Sequence, residues 1–441
     1  MPLPSHSRLD YHLGMDWYVT DTSSIGGKLR TRPEDFTVIE IYKDGKTVLE
    51  LKNSDKLGSW YWIVIEKRNI DTISTAILLS KKLGIGLRDI TYAGLKDSNA
   101  LTYQIYSVRN VSIDFLRSID LGINVRIKKI LIADRPFTSS EIFGNFFIIR
   151  VRDIEGNVDC IDECISQVLN RGLPNYYGYQ RFGIKRPNSH IIGKFIIQRK
   201  FEEAIHELIS HKYSHEDDRV LKAREYAEKG DYSKALEYFP KSIKYLPERL
   251  VLKHLCTNPK DYVGALRRMP KDLLKLYVES YQSYLFNKFL SERLRRNLPI
   301  NKAVPGDLVV LLDEYGLPTR HVVKVSENIV DKVNELILKE RCALVLTLPG
   351  YNSKIQNTIQ GDIELKVLKE EHIDLSMFKI KTIPEISLKG GYRLASIKPS
   401  SINWKVEHHD LIISFKLIRG SYATILIREL IKPEDPLSSG F

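Results

Sequence analysis

Cysteine and methionine are scarce, with four of each in 441 residues. Four cysteines cannot staple a chain of this size, and no disulfide framework is implied. Cys160 and Cys164 stand one helical turn apart, yet no nearby second pair completes a zinc site. Buried free thiols in a reducing compartment are expected. No run approaches the roughly 18 apolar residues that a membrane helix needs. The first ten residues carry no apolar core of the kind an export signal uses, so a cytoplasmic protein is expected. A dinucleotide fingerprint is also missing: Gly84-Ile85-Gly86 is too short for one and follows a helical pattern instead of a strand. Acidic charge is in deficit, 55 Asp and Glu against 67 Lys and Arg, a formal net charge of +12. That excess suits a polyanionic partner held through salt-sensitive phosphate contacts, and it also fits a solvated Lys-rich surface.

What is present is a large apolar fraction, 43%, in a chain long enough for two or three domains. The organising stretch runs from Tyr92 to Gln104 and reads Y-A-G-L-K-D-S-N-A-L-T-Y-Q. A strand-like run from Arg88 to Ala93 meets Gly94. A polar cluster follows (Lys96, Asp97, Ser98, Asn99), then a β-type run from Thr102 to Val108. A carboxylate at the tip of a strand–turn–strand unit can face a pocket while its scaffold stays rigid. Taken alone, the pattern equally fits a hairpin in which Asp97 and Asn99 supply only turn chemistry.

Around it the periodicity predicts strands over Thr37–Ile41, Trp60–Lys67, Asn124–Ala133, Phe147–Arg152 and Leu411–Ile418. Helices are expected over Ile73–Leu83 (capped by Asp71 or Thr72), Ile113–Ser118 and Val158–Asn170. From about Ile184 the texture turns helical: Phe201–Ser210, Arg219–Lys229, Tyr232–Tyr238 and a long helix over Lys271–Leu298. Ala227 to Leu236 resembles one tetratricopeptide hairpin, but no second copy follows, so no solenoid is expected. Aromatics interleave with Arg181 in Pro174–Gly183, offering stacking surfaces and phosphate neutralisation together.

Taken together these segments resemble the TruD family of tRNA pseudouridine synthases. The family's core motif, G-x-K-D-x-x-A-x-T-x-Q, is filled by Gly94, Lys96, Asp97, Ala100, Thr102 and Gln104. Ser98 stands where the family often has a basic residue, which leaves the carboxylate intact but alters a local RNA contact. The N-terminal signature P-E-D-F then V-x-E is Pro33–Phe36, Val38 and Glu40. G-N-x-F is Gly144, Asn145 and Phe147. P-N-Y-F-G-x-Q-R-F-G is Pro174–Gly183, with Tyr177 the one conservative departure. S-x-L-F-N is Ser283, Leu285, Phe286 and Asn287, and the closing G-S-[FY]-A-T…R-E-L is Gly420–Thr424 with Arg428–Leu430. Pro305–Leu308 and Leu348–Gly350 match landmarks of the family's inserted domain. The resemblance runs from about Arg30 to Leu430 and is thinnest over residues 195–270.

The resemblance implies an α+β fold: a pseudouridine-synthase catalytic fold, with a mixed, mainly antiparallel sheet and flanking helices, interrupted by a largely helical α/β TRUD domain. The expected division is a lead-in at 1–24, the first catalytic part at 25–183, the insert at 184–390, the catalytic return at 391–433 and a loose tail at 434–441. Asp97 is then the catalytic carboxylate, nucleophile or base, kept ionised and oriented by Arg30. Lys96, Asn145 and Gln104 would support the site, and Phe147 would stack on an extruded base. Tyr177, Gln180, Arg181, Phe182 and Asn287 would contact RNA. No cofactor and no metal are implied. The partner would be tRNA, most often at uridine 13 and in some relatives at position 35 of tyrosine tRNA, acted on by a monomer. A non-catalytic RNA-binding protein would explain the charge and the aromatics but not the Lys96-Asp97 motif. A protein-interaction scaffold would rest on the helical hairpin alone.

Overall fold

The computed structural model describes residues 2–52, 58–96, 98–213 and 215–441, so Asp97 lies outside the described residues. The chain is α+β. Strand β1, Phe36–Tyr42, is buried along almost its whole length, as its apolar and β-branched composition requires. β2 (Trp60–Arg68) leads to helix α1 (Thr72–Leu83). The Asp71 carboxylate caps α1 by accepting from the Ser74 N–H at 2.8 Å. A 3-10 turn at Leu87–Asp89 replaces the first half of the strand-like run expected from Arg88, leaving a short β3 (Ile90–Tyr92). Then come β4 (Leu101–Val108), β5 (Val125–Ala133), β6 (Ile142–Val151) and helix α2 (Cys160–Arg171). β6 begins at Ile142, ahead of the expected Phe147, because Gly144 lets it pack against the end of the last strand. A Cβ at Gly144 would fall 1.9 Å from the Leu417 carbonyl oxygen.

Helix α3 (Ser189–Ile197) opens the helical region, where Asp218–Glu228 and Tyr232–Tyr238 form the expected hairpin. The long helix α4 (Lys271–Arg295) packs along α3 and carries the chain to a second sheet. That sheet holds β7 (Leu308–Leu312), β8 (Pro318–Lys324), β9 (Cys342–Leu348) and β10 (Gly391–Leu394) in the order β8-β7-β9-β10. Residue 391 is therefore not where the first sheet resumes. Gly391–Leu394 still bonds to β9, and the return comes with β11 (Ser400–Glu407) and β12 (Asp410–Ile418), followed by α5 (Ala423–Ile431).

Among the described residues the main sheet has eight strands in the order β11-β12-β6-β1-β4-β2-β5, with β3 added to the far end of β4. Its pairings are antiparallel except β1 with β4. Val38 lies opposite both Phe147 and Thr102, and Glu40 opposite Asn145. Side chains alternate along a strand, so Phe36, Val38, Glu40, Thr102, Gln104, Asn145 and Phe147 all project from one face.

The lead-in is structured. Leu3–Pro4 pairs with Trp17–Tyr18 around the helix Arg8–His12. Fully buried Asp10 accepts from Arg428 Nε at 2.8 Å, and Glu429 accepts the N–H groups of Val19 and Thr20 at 3.1 and 3.0 Å. The tail is anchored too: Leu29 N–H donates to the Ser439 carbonyl at 2.8 Å, and the buried Phe441 packs edge-on against Tyr179. The contacts of Asp10, Val19, Thr20 and Leu29 reach about 410 positions along the chain and that of Phe441 reaches 262, and no local pattern announces them. Among the described residues no helix is long and apolar enough to cross a membrane.

Candidate active site

The turn that leads to Asp97 is clamped from below by three hydrogen bonds. Thr72, the first residue of α1, accepts from the Lys96 backbone N–H at 2.9 Å and donates its hydroxyl to Gln104 Oε1 at 3.1 Å. Gln104 Nε2 donates to the Gly94 carbonyl at 2.5 Å. Gln104 and Thr72 are buried, so their polar atoms satisfy one another and the backbone with no help from water. The Gly, Lys and Gln of the core motif are thus one hydrogen-bonded unit, with Thr72 as its unforeseen fourth member.

Lys96 turns its side chain into the sheet. Its ammonium lies 3.1 Å from Glu40 Oε1 and donates to Asn145 Oδ1 at 2.8 Å. The Lys96 side chain is 10% exposed and that of Glu40 is fully buried. Glu40 Oε2 accepts the Ile105 N–H at 3.0 Å, which ties the carboxylate to β4. A buried pair of this kind holds geometry because removing either partner strands a charge. Beside it, Arg30 takes a left-handed backbone (φ 53°) and lays its guanidinium 4.2 Å from the centre of the Phe36 ring. Phe36 meets Phe147 edge-on at 6.2 Å, and Phe147 stacks on Phe415 at 5.5 Å. One face of Phe147 is therefore already occupied.

Arg30, Phe36, Lys96, Asn145 and Phe147 line a cavity of about 680 Å³ between the main sheet and the helical region. Arg30, Lys96, Arg181, Arg393 and Arg419 all face it, and among the described residues no carboxylate does. Tyr177 forms part of the wall, with the Arg393 guanidinium 3.9 Å and that of Arg181 5.8 Å from its ring centre. Arg181 is tied to α4 by Ser283 at 3.1 Å and Glu279 at 3.1 Å. Gln180 accepts from the Thr424 hydroxyl at 3.4 Å and also lines an adjoining cavity of about 650 Å³, as does Arg30.

Of the residues expected from sequence, Arg30, Lys96, Asn145, Phe147, Tyr177, Gln180 and Arg181 converge on this cavity, and Gln104 supports it from beneath. Asp97 itself lies outside the described residues. Phe182 and Asn287 are fully buried, which does not suit the direct RNA contact expected of them. Phe182 packs edge-on against His190, while Asn287 holds both the N–H and the C=O of Tyr177 and the carbonyl of Leu13. Thr72, Arg393 and Arg419 were missed. Arg419 stands directly before the closing G-S-Y-A-T and could have been noticed there; Arg393 carries no local signal. Cys160, Cys164 and Cys342 are buried free thiols as expected, but Cys256 is exposed. Among the described residues no three potential metal ligands converge.

A family model described as tRNA pseudouridine synthase D (TruD) matches residues 12–430. A protein of Pyrobaculum islandicum named "Probable tRNA pseudouridine synthase D" is 39% identical over 436 residues, 98% of each chain. One of the same name from Methanosarcina acetivorans is 33% identical over 445 residues, 97% of this chain and 98% of the other. A crystal structure assigned to tRNA pseudouridine synthase D of Methanosarcina mazei superposes with a TM-score of 0.80 at 32% identity. The match spans 97% of this chain and 98% of that one.

Proposed function

The chain belongs to the tRNA pseudouridine synthase D family, and on that premise we propose that Asp97 drives the isomerisation from the cavity described above. The enzyme converts uridine to pseudouridine in tRNA. The reaction breaks the bond from uracil N1 to ribose C1′, turns the base and joins C5 to C1′, with the C5 proton released and N1 taking up a proton in its place. Nothing is oxidised or reduced and no group is imported, so no cofactor is called for. An ionised carboxylate can begin the reaction as a nucleophile on the base or the ribose, or as the base that takes the ribose 2′ proton to give a glycal.

The observation that carries this reading is the clamped turn. Lys96, immediately before Asp97 in the chain, is held by hydrogen bonds at the edge of a cavity lined by cations, and Gln104, seven residues after Asp97, holds the Gly94 carbonyl on the near side of the turn. Rigid support of this kind is what a catalytic group needs and a simple turn does not. Arg30 favours an ionised Asp97, and Phe147, 6% exposed but part of the cavity lining, offers its edge of that lining to an extruded uracil. Tyr177, Gln180 and Arg181 contact the RNA around it.

Residues 184–390, together with β10 of the same sheet, serve as the inserted domain that selects the RNA, with uridine 13 the expected target and position 35 of tyrosine tRNA the alternative. The protein acts as a cytoplasmic monomer. The test is tritium release from tRNA transcripts labelled at uridine C5, with wild type beside Asp97→Asn. Release by wild type alone supports the assignment. Release by both overturns the role of Asp97, and tight binding with no release from any tRNA would point to an RNA-binding protein without catalysis.

A further inference from the structure

We propose that Arg393 and Arg419 form a phosphodiester clamp at the mouth of the cavity, gripping the RNA backbone beside the converted uridine. The proposal rests on the reading above, that this cavity receives a uridine of tRNA. The two arginines reach it from different sheets. Arg393 is carried by β10, which bonds to the second sheet, and Arg419 directly follows β12 of the main sheet.

Arg393 is already oriented. Its Nε donates to the Asn175 carbonyl at 3.0 Å and its Nη2 to Asn175 Oδ1 at 2.7 Å, while Tyr177 supports the guanidinium plane. Nη1 makes no hydrogen bond among the described residues. It lies toward Gly420, where a Cβ built on that glycine would stand 3.8 Å from it. Gly420 has a φ of 80°, a conformation a side chain would strain, and it immediately follows Arg419. The Arg419 side chain is exposed, and its Nη1 donates to the Ser139 carbonyl at 2.6 Å.

The partners of these two guanidinium groups decide the ligand. Carbonyl oxygens, an amide oxygen and an aromatic ring orient a cation without neutralising it. Arg181, which faces the same cavity, is by contrast paired with Glu279 at 3.1 Å. Two guanidinium groups with no carboxylate partner among the described residues, on either side of a bare glycine and above a cavity without a described carboxylate, suit one phosphodiester or two successive ones. The planar fork of arginine matches phosphate oxygens better than a lysine would.

The experiment couples protein and RNA changes. The uridine converted by wild type is mapped first. Its flanking phosphates are then replaced, one at a time, by neutral methylphosphonates in an otherwise intact tRNA. Dissociation constants are measured for wild type, Arg393→Ala, Arg393→Lys and Arg419→Ala, with thermal unfolding of each. Each neutralised phosphate that is gripped should weaken wild-type binding about tenfold. Arg393→Ala and Arg419→Ala should each cost about as much, and combining an alanine with the matching methylphosphonate should add little. Arg393→Lys should recover only part of the loss. If Arg393→Ala fails to fold, Arg419→Ala carries the comparison, because its guanidinium makes a single contact to one carbonyl. Losses that multiply in full at both phosphates for both arginines, or alanine variants that bind like wild type, overturn the clamp. Failure of wild type to form any pseudouridine would instead overturn the reading of the cavity itself.

Discussion

The Lys96 ammonium and the Glu40 carboxylate, 56 positions apart in the chain, meet at 3.1 Å beneath the cavity, with Asn145 completing the contact at 2.8 Å. Glu40→Gln removes the counter-charge but keeps the shape. Breaking a buried pair in this way costs about 3 kcal/mol. A small displacement of Lys96 beside the reacting group should lower turnover about 10- to 100-fold. Chemical denaturation and single-turnover kinetics of the variant check both. Wild-type stability together with wild-type turnover would contradict the arrangement.

Thr72 and Gln104 position the turn without touching its outer surface. Thr72→Val keeps the volume and loses both hydrogen bonds of the hydroxyl. Gln104→Leu releases the Gly94 carbonyl. Each should cost about 1–3 kcal/mol of stability. In both variants turnover should fall more steeply than tRNA affinity, measured by isomerisation at saturating tRNA alongside a binding titration. Equal losses in the two quantities would assign these residues to binding instead.

Asn287 separates a buried support from an RNA contact. Asn287→Ala strands both backbone polar groups of Tyr177 and the Leu13 carbonyl. The expected loss is about 2–3 kcal/mol in a urea titration. The slope of log Kd for tRNA against log salt should stay as in wild type. A variant of full stability and weakened tRNA binding would return Asn287 to the interface.

His190 gives the fold a dependence on pH. Burial drives its pKa down to about 3, with repulsion from His12 and Lys194 adding to the effect. The ring stacks on Tyr284 at 5.0 Å and meets Phe182 edge-on at 5.4 Å. Above about pH 6.5 neither folded nor unfolded chain protonates this ring. Between about 6.5 and 3 the unfolded chain takes a proton that the folded one refuses, so stability falls as pH falls. From pH 7 to pH 5 the stability of wild type relative to His190→Phe should drop by about 2 kcal/mol, read from urea titrations at the two values. Parallel behaviour of the two proteins would remove His190 as the cause.

Much of this molecule is legible along the chain, because strands and helices follow from short-range pattern. The apolar, β-branched run F-T-V-I-E-I-Y, the Asp71 cap and the Tyr232–Tyr238 helix each need only a few neighbouring residues. The motif positions Gly94, Lys96 and Gln104 are likewise visible in one line of sequence. What each of them does is not. The Lys96 side chain could have pointed to solvent, and Asn287 and Phe182 carried the same residue types whether they faced RNA or the core.

The sequence by itself determined the secondary structure, the excess of positive charge and the membership in a family whose motifs it carries almost unbroken. Tertiary structure decided the roles. The pairing of β1 with both β4 and β6 puts Glu40, Gln104 and Asn145 on one face, since the period of two leaves each strand only one side to offer the site. Long-range closure made the lead-in and the tail part of the fold, through Asp10 with Arg428 and Phe441 with Tyr179. It also brought Arg393 and Arg419 from two sheets to one cavity. Contacts of this range depend on the whole packed chain, so no window of sequence contains them.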